Sequence, residues 1–90
     1  MPNGETKTEE GKLIGKVSHY FSKIGVAIID LEDSLSVGDT VRIAGGDTDF
    51  NQTIDSMEID RQKVEKAEKG SSVGVKVSQK AKEGYRVYKL

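Results

Sequence analysis

The stretch Ile54–Val77, IDSMEIDRQKVEKAEKGSSVGVKV, decides the fold. At its right-hand end Val73, Val75 and Val77 alternate with small or charged residues, the period-two pattern of a strand with one face in a core. Its left-hand end carries Ile54, Met57 and Ile59. Between the two lies a charged connection, Arg61–Gly70, read as a loop or a single helical turn, with Val64, Ala67 and Gly70 at fixed offsets. Two short strands joined this way are the grammar of a small β-barrel, and nothing in the stretch supplies catalytic chemistry. Ile54 occupies an even position and Met57 and Ile59 odd ones, so an unbroken strand would turn them to opposite faces. A one-residue β-bulge near Asp55-Ser56 would return all three to the core, and bulges are how small barrels turn their corners.

The same grammar extends outward in both directions. Thr40–Ile43 alternates, with Val41 and Ile43 facing in, and Gly45-Gly46-Asp47 closes a hairpin behind it. Ser34–Asp39 (SLSVGD) is a turn in which Gly38 supplies a positive φ. Gly25–Leu31 (GVAIIDL) is apolar on both faces, as expected of a strand buried on more than one side. Lys12–Val17 (KLIGKV) is a short strand with Leu13 and Val17 on one face and Ile14 on the other, and Gly15 marks a close backbone approach. At the C-terminus Tyr85, Val87 and Lys89 share a face opposite Arg86 and Tyr88. Some six strands at roughly 8–12-residue spacing, with turn signals between them and no helix of normal length, predict an all-β protein. The expected architecture is a small closed or nearly closed six- to seven-stranded antiparallel β-barrel over residues 12–90, preceded by a disordered tail over residues 1–11.

Bulk properties narrow the function classes. With 90 residues there is room for one domain. Cysteine is absent, which excludes disulfides and thiolate zinc sites. No apolar run approaches the roughly 20 residues that span a bilayer, and the polar MPNGETKTEEG lacks a signal-peptide core, so a cytoplasmic location is the expectation. The net charge of −1 hides an asymmetry: residues 1–59 carry −6 and residues 60–90 carry +5. That basic block allows an anion-binding face and equally allows a solvated mixed surface, because strands interleave in space.

The order of elements resembles the β-barrel second domain of the translational GTPases, such as elongation factor Tu. The matching residues are Gly15-Lys16-Val17, Leu35–Ile43 (LSVGDTVRI), Thr53–Glu58 (TIDSME), Val64–Gly70 (VEKAEKG), Val73–Val77 (VGVKV) and Glu83–Val87 (EGYRV). The chain is still more similar to small elongation-factor-like proteins and to the barrel appended to some collagenase-like peptidases, in which a stretch like Lys12–Ile28 opens the module. The GTPases carry a GxxxxGK[ST] phosphate loop on a separate domain, and this sequence has none. The resemblance therefore implies a binding module without GTP hydrolysis, whose partner is RNA, the ribosome or a neighbouring protein.

Isolated motifs add little chemistry. Gly11–Val17 (GKLIGKV) is one residue short of a phosphate loop and lacks the Ser or Thr after Lys16, so no nucleotide is expected. Asp47, Asp49, Asn51, Asp55 and Glu58 have EF-hand-like spacing, but Gln52 stands where the sharp turn needs glycine and no helices flank the loop. A solvated acidic hairpin tip is the better reading, and neither metal nor cofactor is expected. His19 is the single histidine, and the sequence places no carboxylate or nucleophile beside it for acid–base work. Its neighbours Tyr20, Phe21 and Lys23 form a candidate contact loop, with two rings and a cation; the alternative is that Phe21 and Tyr20 plug the barrel end. Lys76, Lys80, Lys82 and Arg86, with Tyr85 and Tyr88, are candidates for a basic, aromatic surface.

These features predict a non-enzymatic module of translation or RNA metabolism that contacts RNA or the ribosome through His19, Tyr20, Phe21, Lys23, Lys76, Lys80, Lys82 and Arg86. The alternative is a protein-interaction barrel working in trans with a collagenase-like peptidase or an RNA-modification enzyme. Salt separates the two: RNA affinity falls as salt rises, whereas an apolar protein contact hardly responds.

Overall fold

A computed structural model describes residues 11–46 and 48–90. The expected tail lies outside the described residues except for Gly11, which packs against the Lys89 backbone. The protein is all-β. Ten strands follow one another: β1 (Lys12–Phe21), β2 (Val26–Leu31), β3 (Leu35–Ser36), β4 (Thr40–Gly45), β5 (Thr48–Thr53), β6 (Met57–Ile59), β7 (Gln62–Val64), β8 (Lys66–Ala67), β9 (Ser72–Lys76) and β10 (Arg86–Lys89). Eight form one antiparallel sheet in the order β5-β4-β10-β1-β2-β9-β6-β7, and β3 pairs with β8 beside it. The sheet curls around a single core without a backbone ladder joining its ends, a barrel left open along one seam. The count exceeds the expected six or seven for three reasons. Arg61–Gly70 is neither loop nor helical turn but contains β7 and β8, held by the pairs Met57↔Val64 and Leu35↔Ala67. β3 falls within Ser34–Asp39, expected as a turn, and the run through Ile54 is divided into β5 and β6.

The core is aliphatic and continuous. Ile14, Ile29, Leu35, Val41, Ile43, Ile54, Val73, Val75 and Val87 have no exposed surface, and no polar or charged residue is buried among the described ones. Burying each such side chain contributes roughly 1.5–3 kcal/mol, and no trapped polar group offsets it. The alternation read from Val73, Val75 and Val77 holds, as does Val41 with Ile43.

Two devices set the parity of the strands, and neither is the bulge expected at Asp55-Ser56. Ile54 and Met57 are both buried because the chain leaves strand geometry over residues 54–56, between β5 and β6. The bulges lie in β1, where the register shifts between Leu13 and Gly15 and again between Val17 and His19. The first shift buries Ile14 with Val17 and leaves Leu13 40% exposed, reversing the expected grouping of Leu13 with Val17. The second turns Tyr20 toward the core and His19 and Phe21 outward. Gly15 has the expected close approach: a Cβ there would come within 2.6 Å of the Asp30 carbonyl oxygen.

Candidate functional site

His19, Tyr20 and Phe21 belong to the end of β1 rather than to a loop, and Lys23 sits exposed in the turn that follows. The register fixes where these side chains go. Phe21 pairs with Val26 and Val26 with Lys76, which makes one outward row across β1, β2 and β9. His19 pairs with Ile28, Ile28 with Gly74, Gly74 with Glu58 and Glu58 with Lys63, a second outward row that continues onto β6 and β7. Tyr20, on the opposite parity, packs against the core, whereas Phe21 is 44% exposed and does not plug the barrel.

Between these rows the outer face is concave. A groove of about 460 Å³ is floored by Gly74 and walled on one side by Val26 and Ile28 of β2, with Phe21 and Ile24 at the hairpin end. Glu58 of β6 and Asp60 and Arg61 of the following turn form the other side. The volume falls in the range of ordinary ligand clefts, roughly 300–1,000 Å³. Gly74 creates the depression without being sterically required: an added Cβ would rest 3.5 Å from Val26 Cγ1, 3.6 Å from Ile28 Cδ1 and 3.8 Å from the Glu58 carbonyl, ordinary contact distances. Ile24, 60% exposed, is the most exposed large apolar residue among the described ones. The two-faced run Gly25–Leu31 was the sequence signal for this groove, but its second face is half-open rather than buried.

The acidic side of the groove is set by an unusual turn. Asp60 (φ 52°) and Arg61 (φ 66°) are both left-handed, so the two-residue loop between the paired Ile59 and Gln62 has the I′ geometry that suits the sheet's twist. Asn-Gly is the usual occupant, and Arg61 holds that conformation with a Cβ to accommodate. Neither Glu58 nor Asp60 forms an ion pair among the described residues.

His19 has the carboxylate partner that sequence alone did not place beside it. Its Nδ1 lies 3.2 Å from Glu83 Oε2, 64 residues along the chain. The pair is open to solvent, with side chains 51% and 66% exposed, and the His19 ring meets Phe21 edge-on at 4.4 Å between centroids. What this arrangement does chemically is orient two rings at the hairpin end of the groove.

The basic candidates do not share one surface depression, and Lys76 adjoins the groove in the row of Phe21 and Val26. Lys76 borders a shallow depression with Gln52, Asp55 and Ser78, whereas Arg86 borders a different one with Leu13, Lys16 and Glu32. Lys80 and Lys82 are exposed on either side of Ala81, which is fully buried. Of the acidic residues with calcium-like spacing, Asp47 lies outside the described residues and Asp49 is engaged by Arg42, whose Nε and terminal nitrogen donate to its two oxygens at 2.8 and 2.5 Å. That guanidinium holds the Asp49 carboxyl below the usual carboxylate range. Asp33 is held low by the Lys12 ammonium and then by the Ser34 amide. Among the described residues no group of three or more His, Asp or Glu is placed to hold a metal ion.

The overall fold is a known one. The chain has the fold of the C-terminal domain of a Geobacillus thermoleovorans protein assigned to the U32 peptidases: the TM-score is 0.82 at 21% identity, covering 88% of this chain and 92% of that domain. The selenomethionine form of the same domain gives 0.82 at 20% identity, covering 86% of this chain and 98% of that one. Sequence relatives lead the same way. The chain is 42% identical over 78 residues to part of an uncharacterized protease of Methanocaldococcus jannaschii, a match covering 86% of this chain and 19% of that protein. It is 32% identical over 89 residues to a collagenase of Porphyromonas gingivalis, covering 97% of this chain and 25% of the collagenase. The chain thus spans about a fifth to a quarter of the length of the curated relatives it matches, and it is homologous to a portion of them. No protein-family model matches. These relatives uphold the collagenase-like side of the resemblance; its elongation-factor side gains no support from them.

Proposed function

We propose that this protein is an accessory, protein-binding barrel that works with a collagenase-like peptidase, the second of the two readings drawn from the sequence. The observation that supports it most is the 42% identity of nearly the whole chain to one segment of a much longer protease. The outer groove gives such a barrel a surface to use: Phe21, Ile24, Val26 and Ile28 make an apolar centre, and Glu58, Asp60 and Arg61 a charged border. This matches the usual division of a protein interface into apolar core and polar rim. Contact with RNA through Lys76, Lys80, Lys82 and Arg86 is the rival, favoured by the exposure of all four.

The test is titration calorimetry of this protein against the peptidase portion of a collagenase-like protein expressed without its own barrel. A saturable one-to-one complex is the expected result. No complex at high micromolar concentrations, with binding to bulk tRNA instead, would overturn the proposal.

A further inference from the structure

Resting on that reading, we propose that the groove receives an extended segment of the peptidase partner, apolar at alternate positions and then basic. The groove runs along the strands, with β9 as its floor and β2 and β6 as its walls. Strands two apart in a sheet are separated by about 10 Å. A helix with its side chains is about 10–12 Å across and would not seat between Ile28 and Glu58, whereas an extended chain does. β9 is already paired on both sides, with β2 and with β6, so the segment is read by side chains rather than by strand addition.

Rows on a sheet repeat every second residue, as do side chains on one face of an extended peptide. One apolar side chain then lies against Phe21 and Val26, and the next drops over Gly74 beside Ile28. From that level on the lining turns acidic: Glu58, beside Gly74, and then Asp60 against the guanidinium of Arg61, with Lys63 across from Glu58 outside the lining. Asp30, exposed and accepting a hydrogen bond from the Ser72 hydroxyl at 2.7 Å, extends that negative end. A cation in the segment completes the match, and an anion there meets like charge.

The experiment follows backbone amide shifts of this protein by NMR during titration with the synthetic peptide acetyl-Ser-Leu-Ser-Leu-Ser-Arg-Ser-amide, and with the same peptide carrying glutamate in place of arginine. Saturable shifts centred on Ile28, Glu58 and Gly74 are expected, with the glutamate peptide binding roughly tenfold more weakly. Gly74→Leu fills the floor and should weaken the arginine peptide by roughly tenfold or more. Glu58→Lys, on the exposed rim, should reverse the preference between the two peptides. Shifts centred elsewhere, equal binding of both peptides, or no effect of either variant in a protein whose spectrum stays folded would overturn the assignment. Because no peptidase is present, this outcome is independent of the calorimetry. A peptidase complex indifferent to both variants would remove this surface and leave the accessory role standing.

Discussion

Gln52 and Ser78 are joined across the open seam of the barrel. The Gln52 side-chain oxygen accepts the Ser78 amide at 2.8 Å, while its Nε2 donates to the Lys76 carbonyl at 2.9 Å. One side-chain amide thus does what a peptide unit does in a ladder, and it links β5, one end of the sheet order, to the end of β9. Close by, Ile54 donates to the Asp39 carbonyl and Gly38 to the Ile54 carbonyl, each at 2.8 Å, which prolongs the β4–β5 pairing beyond Thr40↔Thr53. The link from β5 to the end of β9 is thus made by a side chain, not by a backbone ladder.

Replacing Gln52 with Ala should therefore lower stability by about 1–2 kcal/mol, two neutral hydrogen bonds' worth. Gln52→Glu keeps the acceptor but cannot donate to Lys76 at neutral pH, so it should lose more than half of that. Urea denaturation checks both, and equal stability of Gln52→Ala and the parent would show that the seam does not depend on this bridge.

Gly45 carries the Tyr85 ring so closely that any Cβ there would overlap it, and the Tyr85 hydroxyl donates to Thr48 Oγ1 at 3.2 Å. Gly45→Ala should cost about 1–3 kcal/mol by overpacking. In a Tyr85→Ala background the same change should cost much less. Additive effects in that double-mutant cycle would contradict the contact.

At the Asp60-Arg61 turn, Arg61→Gly should stabilise the protein by about 1 kcal/mol, because glycine adopts the left-handed geometry without a Cβ penalty. It should leave binding of the basic peptide intact or stronger, since it removes the one positive charge from the lining. Thermal unfolding and the peptide titration read the two effects separately.

Acid should weaken the fold through Asp33 and Asp49. Both carboxyls are held below their ordinary value by cationic neighbours, so the stability they contribute is complete above the unfolded value near 3.8 and is lost as pH falls through the lower folded values. Asp33→Asn and Asp49→Asn should flatten the decline of stability below about pH 4. An unchanged acid limb in the double variant would place the sensitivity elsewhere. Both groups are exposed, so the effect should be modest and weaken with salt.

Much of the fold was legible in the sequence because alternation reports burial directly: Val41 with Ile43, and Val73 with Val75 and Val77. The parity slip at Ile54 was visible too, but a broken strand and a bulge restore parity equally well, so the pattern could not choose between them. The bulges of β1 were hidden because Leu13 and Ile14 are both apolar and either one could have faced inward. β7 and β8 were missed since each is short and charged, and only distant partners, Met57 and Leu35, make them strands. Of the residues lining the groove, the sequence singles out Phe21 but neither Ile24 nor Gly74. An apolar residue opposite a glycine on another strand becomes a groove only once the register is known. The same holds for His19 and Glu83, which meet across 64 residues.

Binding of a peptidase partner through the outer groove is tested first by the salt dependence of that complex. The Kd of the parent protein for the peptidase portion should rise by no more than about tenfold between 0.05 and 0.5 M salt, the part carried by the basic residue over Glu58 and Asp60, and Phe21→Ala should weaken binding at least roughly tenfold while leaving stability nearly unchanged. If instead Phe21→Ala has no effect, Lys76→Glu, Lys80→Glu and Lys82→Glu together abolish binding, and affinity falls steeply with salt in proportion to the number of phosphates neutralised, the barrel is an RNA-binding module and the groove is not its contact surface.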